Sequence, residues 1–140
     1  MKPHALIVDT NVVIAGLLSS GKNSPVTRIL DAMLDGRLLF LLSPALLTEY
    51  RQVLLRPKLV KLHRLGTDEI DELLTTLTAN AVWREPDASQ AAPDPGDNHL
   101  WALLISQPHG ILVTGDQLLL ENPPKDHCVL SPKDCAGQFL

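Results

Sequence analysis

Residues 5–8 read Ala-Leu-Ile-Val, four apolar side chains in a row that stop at Asp9. A surface helix spaces its apolar residues three and four apart, and a half-buried strand alternates them with polar ones. A short unbroken run bounded by a polar residue instead reads as a strand buried on both faces. Such strands belong to parallel sheets whose two sides are covered by helices.

The rest of the chain repeats this arrangement. Residues 38–42 and 111–113 are further apolar runs, and 81–83 and 128–130 are short candidates for strands. Helix signals fall between them. Ser24-Pro25, Ser43-Pro44 and Ser131-Pro132 each put an N-cap residue before a proline at the first helical position. After the first of these, Val26, Ile29, Leu30, Met33 and Leu34 recur at helical spacing until Asp35-Gly36 stops the helix. After the second, Leu46, Leu47, Tyr50, Val53 and Leu54 form an amphipathic stripe. A further helix is predicted from about Thr67, its N-cap, to residue 79, with Asp68, Glu69, Asp71 and Glu72 favouring its positive end. Residues 97–106 predict a well-buried helix, and 116–120 a short one. Residues 12–18 fit either a continued strand or a first helix, whereas 19–23 and 85–96 read as loops. Strands alternating with helices predict a mostly parallel sheet with helices on both faces. A length of 140 residues predicts one domain, 1–140.

Composition narrows the class. The hydrophobic fraction is 45%, enough for a core without disulfides or a structural metal. Cys128 and Cys135 lack CxxC spacing and read as reduced thiols. The N-terminal apolar run is too short for a signal peptide, and none approaches the ~18 residues of a membrane helix, so a cytoplasmic location is expected. The net charge of −4 argues mildly against a nucleic-acid partner. That objection weakens if acids are gathered to hold divalent metal, because bound ions reverse the local sign.

In open parallel sheets, ligands bind beyond the carboxyl ends of the strands. Asp9 directly follows the first predicted strand, and Asp116 follows the 111–113 strand after Thr114-Gly115. Glu49 borders the apolar stripe of its helix. Asp97 opens a buried helix after Asp94-Pro95-Gly96. Each acid also has a plainer role: Asp9 and Asp94 as turn residues, Glu49 as a solvated helix flank, Asp97 and Asp116 as N-caps. A cluster of such acids is the usual way to hold Mg²⁺ or Mn²⁺, which prefer oxygen ligands and retain water. His99, two residues after Asp97, is expected on a helix surface. Walker A, GxGxxG and GxSxG motifs are absent from the sequence.

Four stretches, in order, resemble the motifs of PIN-domain nucleases. They are Ile7-Val8-Asp9-Thr10-Asn11-Val12, Leu47-Thr48-Glu49-Tyr50, Asp94-Pro95-Gly96-Asp97-Asn98 and Val113-Thr114-Gly115-Asp116. The third is similar to the branch of the family whose motif reads Asp-Pro-x-Asp-Asn. The resemblance implies a Rossmann-like, three-layer α/β/α domain that cleaves RNA with Mg²⁺ or Mn²⁺. It also implies that Asp9, Glu49, Asp97 and Asp116 are the catalytic and metal-binding acids, with Asn11 and Thr114 as supporting polar groups and Asp94 as an auxiliary acid. Many small members resembling this chain are toxins of toxin–antitoxin pairs, of the VapC type, which act as dimers or higher oligomers and are blocked by an antitoxin protein. Lys22 and Arg51 are candidates for guiding the RNA backbone, and ordinary surface charge is the alternative for both. Two rivals are weighed against this reading. A haloacid-dehalogenase-like phosphatase wants a second Asp two residues after Asp9, where this chain has Asn11. A catalytically idle PIN-like module that only binds RNA or protein would not need four filled acidic positions.

Overall fold

A computed structural model describes residues 4–21, 23–86 and 92–140. The first apolar run forms β1 (Leu6–Val8), with all three side chains buried. Residues 12–18, which fitted either strand or helix, belong to a helix, α1 (Thr10–Leu18), with Asp9 as its N-cap. Their side chains are apolar nearly all round, so periodicity alone could not decide. Ser24-Pro25 starts α2 (Pro25–Leu34), and the Ser24 hydroxyl accepts from Thr27 N at 3.3 Å. Gly36, at φ 73°, provides the left-handed turn after it. Asn80 completes that end from a distance, donating to the carbonyls of Met33 at 3.0 Å and Leu34 at 2.9 Å.

The strand expected over 38–42 is shorter, β2 (Leu41–Leu42), with Phe40 making a single bridge to Leu6. The Ser43-Pro44 signal starts α3 (Pro44–Leu54). Next comes α4 (Pro57–His63), which the sequence reading did not anticipate. It buries no residue, and its N-cap Arg56 offers no capping oxygen, so neither periodicity nor a cap announces it. The following helix, α5 (Thr67–Asn80), has Gly66 rather than Thr67 at its N-cap, where Glu69 accepts from Gly66 N at 3.2 Å. Then come β3 (Val82–Trp83), a 3-10 turn (Pro95–Asp97), α6 (Asn98–Ile105), β4 (Ile111–Val113), α7 (Gln117–Glu121), β5 (Cys128–Leu130) and α8 (Pro132–Phe139).

All the strand pairs are parallel: β1 with β4, β4 with β5, and β2 with β3. The parallel Leu6–Phe40 bridge, with Leu6 N donating to Leu39 O at 3.0 Å, joins them in the order β3-β2-β1-β4-β5. Helices cover a parallel sheet, as the alternation predicted and as a three-layer α/β/α fold requires. The order reverses direction between β1 and β4. Such a reversal leaves a crevice beyond the carboxyl ends of those two strands. Among the described residues, no helix is long and apolar enough to cross a membrane. Both cysteines are free, Cys128 exposed and Cys135 buried.

Candidate active site

The crevice between β1 and β4 is built on Asp9. Its backbone N–H still belongs to the sheet, donating to Val113 O at 2.9 Å. Its side chain is only 5% exposed and takes three bonds. Oδ1 accepts from Thr10 N at 2.7 Å, and Oδ2 accepts from Thr114 Oγ1 at 2.8 Å and Asn11 Nδ2 at 3.2 Å. Burial raises the Asp9 carboxyl above the ordinary range. The Thr114 and Thr10 bonds oppose that rise, and the charges of Glu49 and Asp116 add to it.

Thr114 and Asn11 stitch the two strand ends together. Thr114 is fully buried at the end of β4. Besides donating to Asp9, its hydroxyl accepts from Asp116 N at 3.0 Å and Asn11 Nδ2 at 3.3 Å. Asn11 Oδ1 in turn accepts from Gly115 N at 3.0 Å. Asp116 caps α7, accepting from Leu118 N at 3.0 Å. The plainer reading of Asp116 as an N-cap is therefore correct, and it does not remove the carboxylate from the cluster, since its charge reaches Asp9 and Asp97.

Glu49 faces inward. Thr10 Oγ1 donates to its Oε2, and His99 Nε2 lies 3.5 Å from its Oε1. His99, followed by Thr10, holds this carboxyl below the ordinary range against the effect of burial, and Arg56 helps from further away. His99 is thus beside the acids rather than on a helix surface, which corrects its sequence assignment. Its position two residues after Asp97, on the first turn of α6, was the available signal.

Asp97 sits at the junction of the 3-10 turn and α6, where a capping role was one expectation. Its side chain caps no backbone N–H. Burial raises its carboxyl to about 6, reinforced by the charges of Asp9, Asp94, Glu49 and Asp116. Asp94 itself is exposed and accepts from Gly96 N at 2.9 Å, so it shapes the loop while adding charge. Asn98 anchors the same loop, its Oδ1 accepting from Ala92 N at 2.8 Å. Sequence reasoning gave Thr10, Asn98 and Tyr50 no role at the site. Tyr50 is fully buried and its hydroxyl donates to Val8 O, at the strand end that carries Asp9. Burial, with the nearby charges of Asp9 and Glu49, pushes that hydroxyl well above its ordinary range.

The structure therefore puts Asp9, Glu49, Asp97 and Asp116 within electrostatic reach of one another. Among the described residues, no lysine or arginine forms an ion pair with any of them. No three His, Cys, Asp or Glu side chains among those residues stand close enough to enclose an ion directly. Arg51 is engaged elsewhere, its guanidinium paired with Asp71 at 2.8 Å. Lys22 lies outside the described residues. On the Asn11–Gly115–Asp116 side, the cluster borders a cavity of about 290 Å³.

The family model described as PIN domain matches residues 5–118. Among solved structures, the chain is similar to the T. brucei RRP44 PIN domain, with 14% identity and a TM-score of 0.48, over 98% of this chain and 81% of that one. No curated protein matches the chain.

Proposed function

The chain belongs to the PIN-domain family, and from that premise we propose that it is a metal-dependent ribonuclease. It would act as an endoribonuclease, hydrolysing RNA phosphodiester bonds at the cluster of Asp9, Glu49, Asp97 and Asp116. PIN-domain homologues are nucleases. The observation that carries the reading to this chain is the gathering of Asp9, Glu49, Asp97 and Asp116 at the crevice, with Asp9 held by Thr10, Asn11 and Thr114 and Glu49 held by Thr10. Crowded carboxylates with no paired cation are a costly arrangement for a fold and a useful one for a cation site.

The donor set fits Mg²⁺ or Mn²⁺, since every member is a carboxylate and such cations retain part of their water shell. Asp9, Asp97 and Asp116 would hold an ion in part through the water it retains, with Glu49 holding a second ion or orienting the attacking water. A bound ion supplies charge stabilisation for the phosphodiester and a more acidic water.

The remaining steps belong to the chain's own residues. Thr114, Thr10 and Asn11 fix both oxygens of Asp9, so the carboxylate cannot swing. Thr10 and His99 keep Glu49 ionised, as a water-orienting carboxylate must be. Asp97 caps no backbone group, which leaves its oxygens available for a ligand.

We extend the proposal to a toxin of a toxin–antitoxin pair, acting as a homodimer or higher oligomer and silenced by an antitoxin protein that covers the acids. Its support is the resemblance of the four motif stretches to family members that are such toxins.

The test compares wild type with Asp9→Asn on labelled single-stranded RNA, with Mg²⁺ or Mn²⁺ and with chelator. Cleavage is expected only for wild type with metal, while circular dichroism shows both proteins folded. Full activity in the variant removes the proposal. Calorimetry with Mn²⁺ separates an enzyme from an idle fold, which would bind the ion weakly or not at all.

A further inference from the structure

A second cavity, of about 370 Å³, adjoins the acidic cluster at His99. Its walls include Pro44 and Ala45 at the start of α3, His99 and Ala102 on α6, and Glu85 and Pro86 after β3. His99 belongs to both places, because it lines this cavity while its Nε2 is 3.5 Å from Glu49 Oε1. The cavity and the acids are therefore one side chain apart.

The lining decides what can enter. Pro44, Ala45, Pro86 and Ala102 offer small apolar surfaces, Ser43 offers a hydroxyl whose oxygen already accepts from Leu46 N, and His99 offers an imidazole ring. Among the described lining residues, Glu85 is the one carboxylate and there is no lysine or arginine. An ionised carboxylate accepts hydrogen bonds and donates none. Together with Glu49 next door, it repels a phosphate. What suits such a pocket is a flat, largely apolar ring with an N–H₂ group at its edge. On an RNA strand these are cytosine, adenine and guanine, whose amino groups a carboxylate recognises. Uracil presents a carbonyl oxygen where cytosine has its amine, and Glu85 would repel it. Stacking of an unpaired base on an aromatic side chain is the usual means of single-strand RNA recognition.

We propose that this cavity seats one unpaired nucleobase of the substrate strand beside the cleaved phosphodiester, and that Glu85 selects an amino-bearing base over uracil. The proposal rests on the ribonuclease reading of the adjoining acids.

The experiment uses the full chain with Mn²⁺ and a labelled oligouridylate carrying a single cytidine, adenosine or guanosine, with the all-uridine strand as reference. Initial rates and cleavage positions are read on a sequencing gel. Wild type is expected to cut at a fixed offset from the amino-bearing base, with kcat/KM about tenfold above the all-uridine strand. Glu85→Gln replaces an acceptor-only group by one that also donates to a carbonyl, and it should reduce that preference to less than about threefold. Ala102→Leu fills the cavity, and it should raise KM on amino-bearing strands. Glu85 is exposed, so its variant decides the matter even if the larger side chain disturbs α6. Equal rates on all four strands, or a preference that survives Glu85→Gln unchanged, overturns the base seat and leaves the ribonuclease standing. Absence of cleavage on every strand overturns the ribonuclease reading and the base seat together.

Discussion

Replacing Asp97 by Asn should make the metal-free protein more stable. The Asp97 carboxylate caps no backbone group, and Asp9, Asp94, Glu49 and Asp116 place negative charge around it. Burial and those charges lift its carboxyl from 3.8 to about 6. At roughly 1.36 kcal/mol per pH unit, that rise corresponds to about 3 kcal/mol. Water still reaches the group, and screening reduces the cost to roughly 1–1.5 kcal/mol. In a chain of this length, such a gain moves the thermal midpoint by about 3–5 °C.

The sign follows from where the proton sits. Below pH 3.8 the carboxyl is neutral in the folded and unfolded chains, so the wild type carries no penalty. As the pH rises from 3.8 through about 6, the unfolded chain releases its proton first and the folded state loses stability. Asparagine never ionises, so the variant's advantage grows across that window and is complete above it. Thermal melts with chelator near pH ~4 and ~8 read this directly. An Asn variant no more stable than wild type at the higher pH would refute the crowding, as would an advantage equal at both pH values. Added Mn²⁺ should reverse the order by stabilising wild type alone, in proportion to the logarithm of its concentration over Kd.

Two further substitutions probe the frame that holds the acids. Tyr50→Phe keeps the ring in the core but removes the hydroxyl from Val8 O, and it should cost about 1–2 kcal/mol in urea unfolding. A loss too small to measure would mean that the carbonyl finds another partner. Gly16→Ala would bring a methyl group to 2.7 Å from Val26 O and 2.9 Å from Leu30 Cβ, forcing α1 and α2 apart. It should destabilise by about 1–3 kcal/mol, and an unchanged midpoint would show that the two helices yield without cost.

The legible parts of the sequence were those set locally. A buried run ending in an acid announces both the strand and the position of Asp9, and Ser-Pro pairs announce the starts of α2, α3 and α8. Glu49 and His99 were not legible in this way. Whether a residue at the edge of an apolar stripe faces water or a neighbouring acid depends on how α3 and α6 dock, and no spacing within either helix encodes that. The contact between Asn11 and Thr114 spans 103 positions of chain, so it exists only once β1 and β4 pair. Motif resemblance supplied the grouping that local reading could not.

The sheet order explains why these acids, rather than others, share one place. The carboxyl ends of β2 and β3 are followed by Ser43, which caps a helix, and by Arg84. Only at β1 and β4 do adjacent strands lead into connections that depart in opposite directions, and each of those ends supplies an acid. Among the described residues, Asp9, Thr10, Ser43 and Thr114 are the buried polar ones, and all but Ser43 lie at this seam. Burying polar groups costs free energy unless they are fully bonded, and a packed core of apolar residues would have closed the seam more cheaply. A fold under no further demand has no reason to gather a buried carboxylate, two hydroxyls and three more acids at the one point where its sheet opens. Departures of this kind from the pattern that best specifies a fold are expected where function demands them.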